Sequence, residues 1–264
     1  MDTPRKKYII ANWKMNFTTG EASLYLDKLS KRIQPSRKVQ VVLAPSTISL
    51  QPLSLQVNRR QFKLAAQNFY WREYGAYTGE VALSQIRGFV DYAIVGHSER
   101  RYVFNESEED IAQKVAAAIR SNITPILCIG ETALERKDGE TAAAISNQLT
   151  SGLHEVSKED ISKVIIAYEP VWAISSNKNA KPAEPIDIIE AERLIRKHIA
   201  KLYGKGIAEE ISILYGGSVN KDTAAGYLEI DGIDGLLIGS ASLIADQFCA
   251  ILEIAKGVKN ERQY

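Results

Sequence analysis

The chain has 264 residues, 45% hydrophobic and 25% charged, which is the composition of an ordinary globular protein with ample apolar material for a large core. Thirty-three basic against 32 acidic side chains leave a formal net charge of +1, which excludes a broad basic field for nucleic acid or a membrane surface; any anion must be gripped by a local site. The two cysteines, Cys128 and Cys249, read as buried reduced thiols of a cytoplasmic protein, without zinc-like spacing, and no run approaches the roughly 18 apolar residues of a membrane span or the apolar centre of a signal peptide.

Short runs rich in Val and Ile recur along the chain: "YIIANW" from Tyr8, "VQVVLA" from Val39, "FKLAAQ" from Phe62, "YAIVG" from Tyr92, "PILCIG" from Pro125, "KVIIAY" from Lys163, "ISILYG" from Ile211 and "GLLIG" from Gly235. They are continuously apolar rather than alternating, as strands covered on both faces are. Amphipathic helical patterns lie between most of them, over Glu21–Ile33, Glu108–Arg120, Ala142–Val156, Asp187–Tyr203, Thr223–Leu228 and Ser242–Ala255. This alternation of strand and helix predicts parallel strands joined by crossover helices. A closed (β/α)8 barrel suits eight units better than its rival, an open doubly wound sheet. No Pro- or Gly-rich linker divides the chain, so residues 1–264 read as a single domain with a barrel core over about residues 8–257 and short polar tails. The longest interruptions, Asn68–Glu80 and Ile174–Pro185, are functional candidates, because long loops are uncommon inside compact domains.

In such a barrel the site is built at the carboxyl ends of the strands. The first strand ends "ANWKMN", where alternation predicts Asn12 and Lys14 on one face; a solvated loop start is the plain alternative. The fourth ends "GHSERR". His97 sits at that strand end, whereas His154 and His198 fall in amphipathic helices as ordinary surface histidines. Glu99, Arg100 and Arg101 are open to a structural ion-pair role. The sixth strand ends at Glu169, held extended by Pro170. A capping or ion-pairing carboxylate normally lies in the polar loop, so the reading here is a catalytic base. The seventh and eighth strands run into "YGGSVN" and "IGSASL", small residues before a helix, where unpaired amides suit a phosphate.

In order and spacing, "ANWKMN", "VGHSERR", "CIGE", "AYEPVWAI", "YGGSV" and "GLLIGSASL" resemble the triosephosphate isomerase family across roughly residues 8–255. The resemblance implies interconversion of dihydroxyacetone phosphate and glyceraldehyde 3-phosphate in glycolysis and gluconeogenesis, with neither metal nor organic cofactor. It implies that Glu169 is the base, that a neutral His97 is the electrophile, and that Lys14 and Asn12 bind substrate oxygens while Glu99 orders Lys14. Ser175, Ser218, Gly239 and Ser240 would bind phosphate. The loop after Glu169 would close as a lid; where relatives carry Gly-Thr-Gly-Lys-Thr-Ala, this chain reads Ser175, Ser176, Asn177, Lys178, Asn179, Ala180. A second departure is Ser240, where relatives commonly have glycine.

The segment 68–80 resembles the family's interdigitating dimer loop. Its Tyr70, Trp71, Tyr74 and Tyr77 are costly to leave in water, so a homodimer is expected in which Thr78 approaches the partner's Asn12 and Lys14. Two rival functions remain: another phosphate-binding barrel enzyme, such as indoleglycerol-phosphate synthase or a phosphosugar epimerase, and a noncatalytic scaffold. The first needs other strand-end acids, and the second would have lost one of Lys14, His97 and Glu169.

Overall fold

The computed structural model describes residues 5–174 and 181–258. Strands β1 (Lys7–Asn12), β2 (Val39–Ala44), β3 (Phe62–Ala66), β4 (Tyr92–Val95), β5 (Thr124–Ile129), β6 (Ile165–Tyr168), β7 (Ser212–Tyr215) and β8 (Gly235–Ile238) pair in parallel in chain order. β8 returns to β1 through Tyr8–Gly235 to Ala11–Ile238, closing the sheet into a barrel. The eight apolar runs are therefore the eight staves, and the open-sheet alternative is set aside.

The runs are apolar throughout because each strand has two buried faces. Along β1, Ile10 points into the lumen with Val42, Ile94, Ile126, Ala167 and Leu237. Ile9 and Ala11 point outward into the layer between sheet and helices. Cys128 is wholly buried in the lumen set, whereas Cys249 is only partly covered, which corrects the expectation of two buried thiols.

The helices are α1 (Thr19–Arg32), α2 (Thr47–Gln56), α3 (Leu83–Ile86), α4 (Ser98–Tyr102), α5 (Glu108–Arg120), α6 (Ala133–Lys137), α7 (Thr141–Gly152), α8 (Pro185–Tyr203), α9 (Lys205–Glu210), α10 (Ala224–Leu228) and α11 (Ala245–Gly257). Local chemistry sets their starts. Thr18 and Glu21 form a capping box on α1, Ser107 accepts from Asp110 N–H on α5, and Pro185 opens α8, where its missing N–H costs nothing. α2 escapes the apolar periodicity because Pro52 lies inside it and its polar and apolar residues are spread around it. α11 starts later than Ser242, since Ser240–Leu243 form a 3₁₀ turn first.

Candidate active site

β1 stops at Asn12, and Lys14 follows in a left-handed backbone conformation, φ 51°. The backbone N–H of Lys14 donates to Asn12 Oδ1 at 3.1 Å. The two residues are thus joined across a turn, which corrects the expectation that they share a strand face. That conformation costs a lysine about 1–3 kcal/mol. Gln67 helps to hold it, because its Nε2 donates to Lys14 O at 2.9 Å and to Ala44 O at 2.8 Å, lacing the ends of β1, β2 and β3 together. Lys14 Nζ then meets Glu99 Oε1 at 2.6 Å. Both partners are partly exposed, so the pair adds little to stability.

His97 ends the β4 segment and caps α4 by accepting Glu99 N–H on Nδ1 at 3.2 Å. A ring nitrogen that accepts a backbone N–H carries no proton, so the hydrogen-bond pattern assigns an uncharged ring with its proton on Nε2. Nε2 lies 3.2 Å from Glu169 Oε1, and Glu169 Oε2 accepts Ser98 N–H at 3.3 Å. His97, Glu169 and Asn12 are 6%, 2% and 5% exposed, so water competes weakly for these bonds.

Glu169 is seated by the chain around it. Its N–H donates to Ile129 O at 2.7 Å, extending the β5–β6 ladder one residue beyond the strand. Two neighbours must lack a side chain. A Cβ on Gly130 would stand 2.0 Å from Glu169 O, and one on Gly216 would stand 2.8 Å from Glu169 Cγ. The carboxylate therefore occupies space that glycine at the end of β7 leaves free.

A second carboxylate supports this strand end. Glu131 is fully buried, accepts from Tyr168 Oη at 3.2 and 3.1 Å and from Trp172 Nε1 at 2.7 Å, and lies 3.8 Å from Arg136. Arg136 also stacks over Trp172, 4.1 Å from the ring, and donates to Asp187 at 2.7 Å. Burial pushes the Glu131 carboxyl above the ordinary carboxylate value. Glu131 closes the fifth apolar run just as Glu169 follows the sixth, a signal the sequence reading passed over. Arg101 lies beneath the site, donating to Gly96 O at 2.7 Å and Cys128 O at 3.0 Å and pairing with Glu108; Arg100 pairs with Glu106 at 3.2 Å. These are structural contacts of the kind expected for both arginines.

The remaining predicted residues are distributed around this centre. Gly239 adjoins Lys14, since a Cβ there would be 3.6 Å from Lys14 Cε, and exposed Ser240 follows it. The N–H of Ser218 donates to Ala173 O at 3.0 Å, so it is not one of the unpaired amides anticipated after the seventh strand. Ser175, with the whole of 175–180, lies outside the described residues. Thr78 is exposed in the loop after β3, away from Lys14 of its own chain in sequence and held on a different connection. That loop is anchored by Trp71 Nε1 donating to Asp110 at 3.2 Å and Lys114 Nζ donating to Asn68 at 2.8 Å. Met15 is 96% exposed and Tyr74 88%, on the connections after β1 and β3, and Ile48, in the first turn of α2 after β2, is 77% exposed. Among the described residues, no helix is long and apolar enough to cross a membrane, and no cluster of His, Cys, Asp and Glu is arranged to hold a metal ion.

Comparison with known proteins gives this geometry a context. The profile of one family, described as triosephosphate isomerase, matches residues 7–255. A protein named triosephosphate isomerase from Caldanaerobacter subterraneus subsp. tengcongensis is 41% identical over 249 residues, covering 94% of this chain and 99% of its own. Proteins of the same name from Streptococcus mutans and Lactococcus lactis subsp. lactis are 40% and 42% identical over 253 residues, each covering 96% of this chain and 99% of the relative.

Proposed function

Because the chain belongs to the triosephosphate isomerase family, whose glycolytic reaction interconverts two triose phosphates, we propose that Lys14, His97 and Glu169 are the groups that carry that reaction. The observation that supports this most directly is the 3.2 Å approach of His97 Nε2 to Glu169 Oε1 at the mouth of the barrel. It puts a carboxylate and an uncharged N–H donor side by side, although β4 and β6 are far apart in sequence.

Isomerisation needs a base for the proton on the carbon beside the carbonyl, and a donor for the oxyanion that forms. Glu169 removes that proton and returns it to the neighbouring carbon. In the free protein its oxygens accept from His97 and Ser98; substrate takes over the His97 donor and leaves the carboxylate to face carbon. His97 Nε2–H then donates to the enediolate, and an uncharged ring is suited to passing one proton between the two adjacent oxygens. Lys14, aimed by Glu99, supplies positive charge to the same oxyanion and to the phosphate, and Asn12 completes the donor set. Glu99 acts through Lys14 and is a positioning residue.

Gly239 and Ser240 after β8, Ser218 after β7, and Ser175 by resemblance hold the phosphate. Ser218 serves through its hydroxyl unless the bond from its N–H to Ala173 is exchanged. The exposed Met15, Ile48 and Tyr74 around the loop 68–80 support a homodimer, with Thr78 reaching Asn12 and Lys14 of the partner subunit, and the setting is the cytoplasm. A coupled assay with glyceraldehyde 3-phosphate tests the assignment on wild type and Glu169→Asp. The shortened acid retreats from carbon, so kcat should fall by about a hundredfold or more with KM little changed. Turnover of Glu169→Asp near that of wild type would remove Glu169 from the role of base.

A further inference from the structure

We propose that Tyr25, on α1, is a positioning residue for the phosphate side of the site, its phenol bracing the loop after β8 against the loop after β1. Tyr25 is 9% exposed, and its Oη donates to Ser242 O at 2.7 Å. Ser242 is itself fully buried and donates to Gly239 O twice, from its N–H at 2.9 Å and its Oγ at 2.6 Å. Gly239 in turn stands beside Lys14, with 3.6 Å between a built Cβ and Lys14 Cε. One hydroxyl therefore begins a set of hydrogen bonds that ends at Gly239, the neighbour of the Lys14 side chain.

The ring works on the opposite loop. It stacks on Phe17 at 5.0 Å and meets Trp13 edge-on at 5.5 Å, while Trp13 and Phe17 meet edge-on at 5.3 Å. Trp13 precedes Lys14, and Phe17, like Lys14, has a left-handed backbone, φ 66°. The aromatic trio pins residues 13–17 to α1, and the phenol pins α1 to residues 239–242. Tyr25 is where the two loops are tied to a common support. Burial pushes its phenol upward from the ordinary tyrosine value, so it remains a protonated donor at any working pH.

This inference rests on Gly239 and Ser240 being the phosphate loop, and the test separates the two ideas. Tyr25→Phe keeps the ring contacts and deletes only the hydroxyl; Ser242→Ala deletes the Oγ link. For each, kcat, KM for glyceraldehyde 3-phosphate, the competitive inhibition constant of inorganic phosphate, and the melting temperature are measured against wild type. In both variants KM and the phosphate inhibition constant should rise together by about threefold to tenfold, the consequence of one misplaced hydrogen-bonded loop, with kcat within about twofold. A lower melting temperature with both constants unchanged would make the phenol merely structural and overturn the proposal. If inorganic phosphate does not compete even in wild type, the phosphate-loop reading fails first and the proposal falls with it. Should Tyr25→Phe not fold, Ser242→Ala decides.

Discussion

The sharpest test of how Glu169 is seated is Gly216→Ala. The added methyl would lie 2.8 Å from Glu169 Cγ and 3.4 Å from Oε1. Ordinary van der Waals contact begins near the latter distance, so Glu169 Cγ has to recede by about 0.6 Å, and its carboxylate, at the end of a longer lever, by more. A displacement of about 1 Å at a reacting group costs roughly a hundredfold in rate, or about 2.7 kcal/mol of barrier. The neighbour that must yield is a side chain rather than backbone, so the fold should survive the change. Steady-state kinetics should show kcat down by about thirtyfold to a hundredfold with KM nearly constant. Gly226→Ala on α10 is the matched control, since nothing lies within 4 Å of its Cβ position; it should leave kcat unchanged and gain about 0.5–1 kcal/mol of stability. A Gly216→Ala enzyme within threefold of wild type would show that the glycine does not set the position of Glu169.

Other outcomes follow from the same geometry. Burial holds the Glu131 carboxyl above its ordinary value of 4.5, so the folded protein binds that proton more tightly than the unfolded chain. The associated stability is complete below about pH 4.5 and is lost as pH rises through the raised value. The melting temperature of wild type should therefore fall relative to Glu131→Gln across that interval, and a pH-independent difference would refute the shift. Arg101→Met leaves the oxygens of Gly96 and Cys128 and the Glu108 carboxylate without their donor, and should cost about 3 kcal/mol in urea unfolding; a loss below about 1 kcal/mol would mean that water replaces the guanidinium. Wild type should sediment at twice 29.3 kDa, and Met15→Asp with Tyr74→Asp should give a poorly active monomer. A fully active wild-type monomer would dispose of the dimer.

What the sequence disclosed depended on how local each feature's cause is. The strands were visible because Ile9 and Ile10, back to back on β1, each face an apolar layer, which writes an uninterrupted run into the sequence. Glu169 and His97 were visible because a charged or imidazole side chain directly after such a run has few structural uses. The turn at Lys14 was hidden, since its left-handed backbone is held by Gln67 from another strand. Likewise the engagement of Ser218 N–H by Ala173 joins the connections after β6 and β7, which the pairing of those two strands brings together. α2 was missed because Pro52 breaks the helical pattern; Glu131 carried the same positional signal as Glu169, but its contacts with Tyr168 and Trp172 come from another strand and its connection.

The pairing of β8 with β1 has a consequence for how the molecule comes into being. Lys14 follows the first stave and Gly239 the last, so an intermediate lacking that final seam holds Glu169 and His97 but has not yet brought Gly239 to Lys14. If Lys14 and Gly239 do serve substrate as proposed, the nascent polypeptide is expected to stay catalytically silent until almost all of it has left the ribosome. Recovery of turnover on refolding should then report the last stave docking, later than the signal from helix content.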